Sequence, residues 1–118
     1  MSKPAEQIDN VMDNIPFYDK WQLGEGLPIV KTFFVQDLKK VELKPWARTG
    51  GSGAFINMEG AEGATGAYVS EIPAGKKLNP MRHLYEDLHF VLKGRGATTI
   101  WNDKGVKTQF EWHDGSLF

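Results

Sequence analysis

The stretch Pro73-Ala-Gly-Lys-Lys-Leu-Asn-Pro-Met-Arg-His-Leu-Tyr-Glu-Asp-Leu-His-Phe-Val-Leu-Lys-Gly-Arg-Gly96 decides how the chain is read. It opens on a Pro-Ala-Gly turn, passes two histidines and two adjacent carboxylates, and runs through Leu88 to Leu92 into Gly94-Arg95-Gly96. A short apolar run between turn signals is the pattern of a strand between tight turns. Side chains alternate along a strand, so if Asp87 points to one face, His89 and Val91 share it. His83, Asp87 and His89 then face one cavity. Glu86 faces the other way, unless a one-residue bulge exchanges it with Asp87 as the inward carboxylate. Each histidine also has a plainer reading, His83 as a turn residue and His89 as packing.

The same punctuation extends outward. Ala54 to Met58, Thr65 to Ile72, Leu88 to Leu92, Ala97 to Trp101 and Val106 to Trp112 read as strands, with Glu59-Gly60, Pro73-Ala74-Gly75, Gly94-Arg95-Gly96 and Asn102-Asp103-Lys104-Gly105 between them. Strands at roughly 8–12-residue spacing indicate an all-β sandwich or barrel. In the last strand Val106, Thr108, Phe110 and Trp112 share one face and Lys107, Gln109 and Glu111 the other, as in an antiparallel strand buried on one side. Toward the N-terminus, Ile29 to Val35 and Val41 to Leu43 read as short strands. Pro45-Trp46 and Gly50-Gly51-Ser52-Gly53 read as a flexible stretch. That glycine run is no phosphate cradle, lacking Gly-Lys-Ser/Thr and a strand-to-helix context. The one helix expected lies within residues 1 to about 22. Ile8, Val11, Met12 and Ile15 fall at i, i+3, i+4, i+7, Ser2 is the N-cap with Glu6 in the first turn, and Pro16 ends the pattern. The domains expected are an N-terminal extension over 1–45 and a barrel over 46–118.

Composition narrows the function. The 118 residues hold 14 Lys and Arg against 15 Asp and Glu, so no basic excess exists to displace counterions from nucleic acid. The same balance removes the usual attraction to an anionic membrane surface. Zero cysteines exclude disulfides, thiolate zinc sites and a cysteine nucleophile, and fit a reducing, cytoplasmic setting. No apolar run approaches the ~20 residues that span a bilayer.

The Pro73–Gly96 stretch resembles the first motif of the cupin superfamily, a Gly, five residues, His-x-His, three or four residues, Glu, six residues and Gly. Gly75 opens it here and Gly94 closes it, with His83 in the second histidine slot. Met81 stands in the first histidine slot and Asp87 in the glutamate slot. The resemblance implies a cupin-like jelly-roll β-barrel and a divalent metal (Fe, Mn, Ni or Zn, with Fe or Mn favoured) held by His83, by Asp87 or Glu86, and by His89 as a substitute ligand. Met81 offers only a thioether, a poor ligand for a hard centre, and is read as wall. The activity implied first is that of a non-haem oxygenase acting on a small organic substrate, with Arg82 and Arg95 as partners for a substrate carboxylate. A metal-free binding cupin and a sugar isomerase or epimerase share the fold.

Asp114-Gly115-Ser116-Leu117-Phe118 looks like the opening of the family's second motif. A jelly roll has about eight strands. About six candidates are countable from residue 53 onward, so the barrel is expected to be incomplete at the C-terminus. An open edge recruits a partner. The expectation is a fragment of a longer polypeptide, or a homodimer that completes the barrel by exchanging strands.

Overall fold

The computed structural model describes residues 17–118, so the stripe Ile8, Val11, Met12, Ile15 lies outside the described residues. Strands dominate, in a four-stranded mixed sheet and a two-stranded sheet; among the described residues these close no barrel. The chain divides into two compact units at Met81 and Arg82.

In the first unit, helix α1 (Phe17–Glu25) leads into strands β1 (Ile29–Thr32), β2 (Lys44–Trp46), β3 (Gly51–Met58) and β4 (Ala67–Glu71). The centre is β3, where Ala54, Phe55 and Ile56 are buried. β4 pairs antiparallel along one side of it, from Ser52↔Glu71 to Ile56↔Ala67. On the other side lie β1, parallel from Ile29↔Phe55, and β2, antiparallel from Lys44↔Gly53 to Trp46↔Gly51. Pro45 is tolerated because β2 is an edge strand, where a missing N–H costs no ladder bond. A 3₁₀ turn, Leu38–Lys40, intervenes where the sequence placed a break, capped by Asp37 accepting from Lys39 N at 3.0 Å.

The helix docks through Tyr18, Trp21, Gln22 and Glu25, spaced i, i+3, i+4, i+7. Trp21 meets Phe55 edge-on at 5.4 Å, and Trp46 meets Phe55 at 5.5 Å. Gln22, 1% exposed, exchanges two amide hydrogen bonds with Asn57 at 2.9 and 2.8 Å, so its burial leaves no polar atom orphaned. The Glu25 carboxylate accepts from Trp46 Nε1 at 3.2 Å and pairs with Arg48, whose guanidinium lies 5.3 Å over the Trp21 ring. Gly26, at φ 72°, takes the left-handed conformation that ends the helix.

Several expectations are corrected here. The Gly50–Gly53 run is not a flexible loop: Gly51 to Gly53 open β3, and Pro45-Trp46 lie in β2. The glycines serve packing, since a methyl at Gly53 would stand 2.7 Å from a ring carbon of Trp46 and 2.9 Å from the Val69 carbonyl oxygen. The strand from Ile29 stops at Thr32, and Val41 to Leu43 is not a strand. Among the described residues a helix, α1, follows Pro16 and overlaps the end of the expected 1–22 range; the expected stripe itself lies outside the described residues.

In the second unit, β5 (Gly96–Trp101) and β6 (Lys107–Trp112) form an antiparallel hairpin from Gly96↔Trp112 to Trp101↔Lys107. Asn102 Oδ1 accepts from Lys104 N at 3.0 Å and Val106 N at 3.1 Å, which shapes the expected turn. Phe110 and Trp112 are half-buried and Gln109 and Glu111 exposed, so alternation holds toward the end of β6. The Leu88–Leu92 strand is reduced to a single bridge, Phe90↔Leu117. His89 and Phe118 bond reciprocally through their backbones, Val91 N–H donates to the Ser116 carbonyl at 2.9 Å, and Gly115 at φ 81° lies in the turn that leads into this partner segment.

Two tests follow from the first unit. Gly53→Ala should destabilise the chain by about 1–3 kcal/mol in urea unfolding, because neither the Trp46 ring nor the Val69 carbonyl has room to retreat; an unchanged midpoint would contradict this packing. The bond from Arg48, and then that from Trp46, holds the Glu25 carboxyl below its ordinary value of 4.5 against the opposing effect of burial. A depressed carboxyl stabilises the fold above its unfolded value, and the contribution fades as pH falls through the folded one. Glu25→Ala should therefore cost about 1–2 kcal/mol at pH 7, and the difference from wild type should shrink below pH 4.5.

Candidate functional site

The second unit brings His83, Asp87 and His89 together. Asp87 Oδ2 lies 3.2 Å from His83 Nε2 and 3.4 Å from His89 Nε2. Two elements produce this. His89 is held by reciprocal backbone hydrogen bonds to Phe118, and Asp87, two residues before it, turns its carboxylate to the same imidazole. The return from residue 83 to 87 brings the first imidazole back to the same oxygen. The carboxylate is 20% exposed, so the site is shallow yet partly shielded.

Each imidazole is held from behind. The His83 ring stacks on Tyr85 with centroids 4.0 Å apart, and its Nδ1 lies 2.8 Å from the Tyr85 carbonyl oxygen. A carbonyl only accepts, so Nδ1 carries the proton and donates. Nε2 of the neutral ring is then a bare lone pair aimed at a carboxylate oxygen. That contact is attractive only if the ring is an imidazolium or a cation sits between the two groups. His89 stacks on Phe118 at 4.9 Å, and Phe118 meets the Phe110 ring edge-on at 5.0 Å. With Nε2 protonated, His89 donates to Asp87 directly. His113 Nδ1 donates to the Asp114 carbonyl at 2.8 Å.

The remaining expected residues lie apart from this cluster or in the other unit. Glu86 is exposed, and Asp87 rather than Glu86 faces the imidazoles. Arg82 pairs with Asp103 at 2.8 Å on the surface, and Arg95 is exposed. Met81 closes the first unit, 43% exposed. The sequence reading missed Tyr85 and Phe118 as supports. A residue two beyond a histidine is within reach of its Nδ1, which was the available sign for Tyr85.

Metal bonds of about 2.1 Å at tetrahedral to octahedral angles put donor atoms roughly 3.0–3.4 Å apart. Both nitrogen–oxygen distances are of that size, and two imidazoles with a carboxylate suit a divalent first-row ion. As they stand, both nitrogens converge on the Asp87 oxygen itself. Among the described residues no group of three or more His, Asp or Glu side chains is disposed to hold a metal ion. A pair, His83 with Asp87, fits a cation; a third bond requires the His89 ring to swing from the oxygen to a shared point.

No helix among the described residues is long and apolar enough to cross a membrane. No family model, curated protein or solved structure matches the chain.

The tautomers are directly testable. Nitrogen-15 NMR of labelled histidines above neutral pH should find His83 and His113 in the Nδ1–H form and His89 in the Nε2–H form. An Nε2–H signal from His83 would mean that the Tyr85 carbonyl does not set its ring.

Proposed function

We propose that the chain is a cupin-like, small-molecule-binding domain that takes up a divalent first-row metal at His83 and Asp87, with His89 as third ligand. The described strands would then belong to a jelly-roll barrel. The observation that carries this reading is His83 Nε2 facing the Asp87 oxygen at 3.2 Å while Nδ1 is engaged by the Tyr85 carbonyl; in the neutral ring that leaves a lone pair, which a cation between the two groups satisfies. The Gly75-to-Gly94 spacing supports the same assignment. Tyr85 fixes the His83 ring through its carbonyl and by stacking, as an outer-shell partner fixes a metal-bound imidazole. Partial exposure leaves room on the solvent side for water or substrate.

When bound, such a metal supplies Lewis-acid chemistry and, as Fe or Mn, a place for dioxygen. Oxygenase activity toward a small organic substrate is the form of this reading that the cupin resemblance favours. Asp87 would contribute the negative charge that holds the cation, and the imidazoles of His83 and His89 would contribute its neutral nitrogen donors. The second reading is a metal-free binding domain. Met81 in the first histidine slot favours it, as does the lack, among the described residues, of a preformed three-ligand group.

Equilibrium dialysis against Mn(II), and anaerobically against Fe(II), separates the two. The metal reading expects one ion per chain, affinity lowered about 100-fold or more in His83→Ala and Asp87→Asn, and little change in Glu86→Gln. Retention of metal by His83→Ala as tight as by wild type would overturn it. No uptake by the wild-type chain would leave the metal-free reading in its place.

A further inference from the structure

The outer edge of β6 is built to pair with itself. In the hairpin, Asn102 N–H donates to the Val106 carbonyl at 3.2 Å, which fixes the phase of the ladder. Hydrogen-bonded and non-hydrogen-bonded pairs alternate along antiparallel strands. The pairs Trp101↔Lys107, Thr99↔Gln109 and Ala97↔Glu111 are therefore of the second kind. Their backbone N–H and C=O groups point away from the hairpin. Lys107, Gln109 and Glu111 thus present a row of backbone donors and acceptors on the free side of β6, in a sheet that has two strands among the described residues.

The side chains of the same three residues share one face and are exposed. Neither Lys107 nor Glu111 has an ion-pair partner among the described residues. Rotation by a two-fold axis through Gln109 sets Gln109 opposite its own copy, Lys107 opposite Glu111 of the second chain, and Glu111 opposite Lys107 of the second chain. Each backbone group in the row then meets its complement, and both charges meet opposite charges. This is the self-complementarity an isologous interface requires. The other free edge, on β5, presents Ala97, Thr99 and Trp101 and has no charge to fix a register.

We propose that β6 is a homodimerisation edge. Two copies of the chain join β6 to β6 antiparallel about Gln109 into a continuous four-stranded sheet, locked by two Lys107–Glu111 pairs. The exposed apolar side chains of the hairpin, Ile100 and Trp101 among them, are then presented by a larger sheet than either copy holds alone.

Sedimentation equilibrium of the full chain at micromolar to hundred-micromolar concentration tests this. The expected particle has twice the 13.3 kDa chain mass. Lys107→Glu alone and Glu111→Lys alone each set like charges opposite one another, so each should weaken association roughly tenfold or more. The double reversal Lys107→Glu with Glu111→Lys restores both pairs and should recover wild-type association to within about threefold. Gln109→Pro removes the two central N–H donors of the interface and spares the β5 ladder, and should leave a monomer. A wild-type chain monomeric throughout would overturn the proposal. So would a dimer insensitive to the single reversals, or a double reversal no tighter than either single one.

Discussion

The ring of Trp46 can lie against β3 only because Gly53 has no side chain, and the first unit is organised around that contact. With the indole in place, Phe55 is fully buried between Trp21 and Trp46, and β3 becomes the strand that β1, β2 and β4 pair with. Burying a strand on both sides obliges its backbone groups to find partners, and three strands supply them. The helix adds Glu25, which accepts the one hydrogen bond the indole can donate and pairs with Arg48. A buried aromatic cluster, a glycine that admits it and a carboxylate that satisfies its polar atom form one device. Loss of any part leaves either a clash or an unpaired donor.

Chemistry concentrates in the second unit, on a single oxygen. Asp87 Oδ2 has an imidazole nitrogen on either side, each ring braced by an aromatic neighbour, Tyr85 for His83 and Phe118 for His89. The bracing matters more than the distances. A free imidazole turns whichever nitrogen suits the local charge, whereas the Tyr85 carbonyl holds the proton on Nδ1 of His83, so that the neutral ring presents its lone pair at Nε2. A lone pair facing a carboxylate is a demand for positive charge, which a proton on the ring or a cation between the two groups supplies.

What could be read from the sequence follows the strength of local signals. The hairpin of β5 and β6 was legible because Asn102-Asp103-Lys104-Gly105 has turn chemistry between alternating runs. The grouping of His83, Asp87 and His89 followed from strand alternation, which placed Asp87 and His89 on one face. Glycine at 51 and 53 misled, because close packing (by Glu71 and Leu78 at Gly51, by Trp46 at Gly53) and loop flexibility both call for glycine and only tertiary structure tells them apart. Helix α1 was hidden because its docking face is Tyr18, Trp21, Gln22 and Glu25, two of them polar, and a search for an apolar stripe passes over it. The amide pair of Gln22 with Asn57 spans 35 residues, beyond any local pattern. A jelly-roll barrel incomplete at its C-terminus was expected from strand spacing and the cupin resemblance; the described strands form a four-stranded mixed sheet and a two-stranded sheet that close no barrel.

X-ray absorption spectroscopy of the Mn(II)- or Fe(II)-loaded chain tests the central claim most directly. The account predicts a first shell of nitrogen and oxygen at about 2.1 Å, with the outer-shell scattering of two imidazole rings from His83 and His89. Asp87→Asn should change that shell. A spectrum without imidazole scattering, or identical in wild type and Asp87→Asn, would place the metal elsewhere and contradict the assignment.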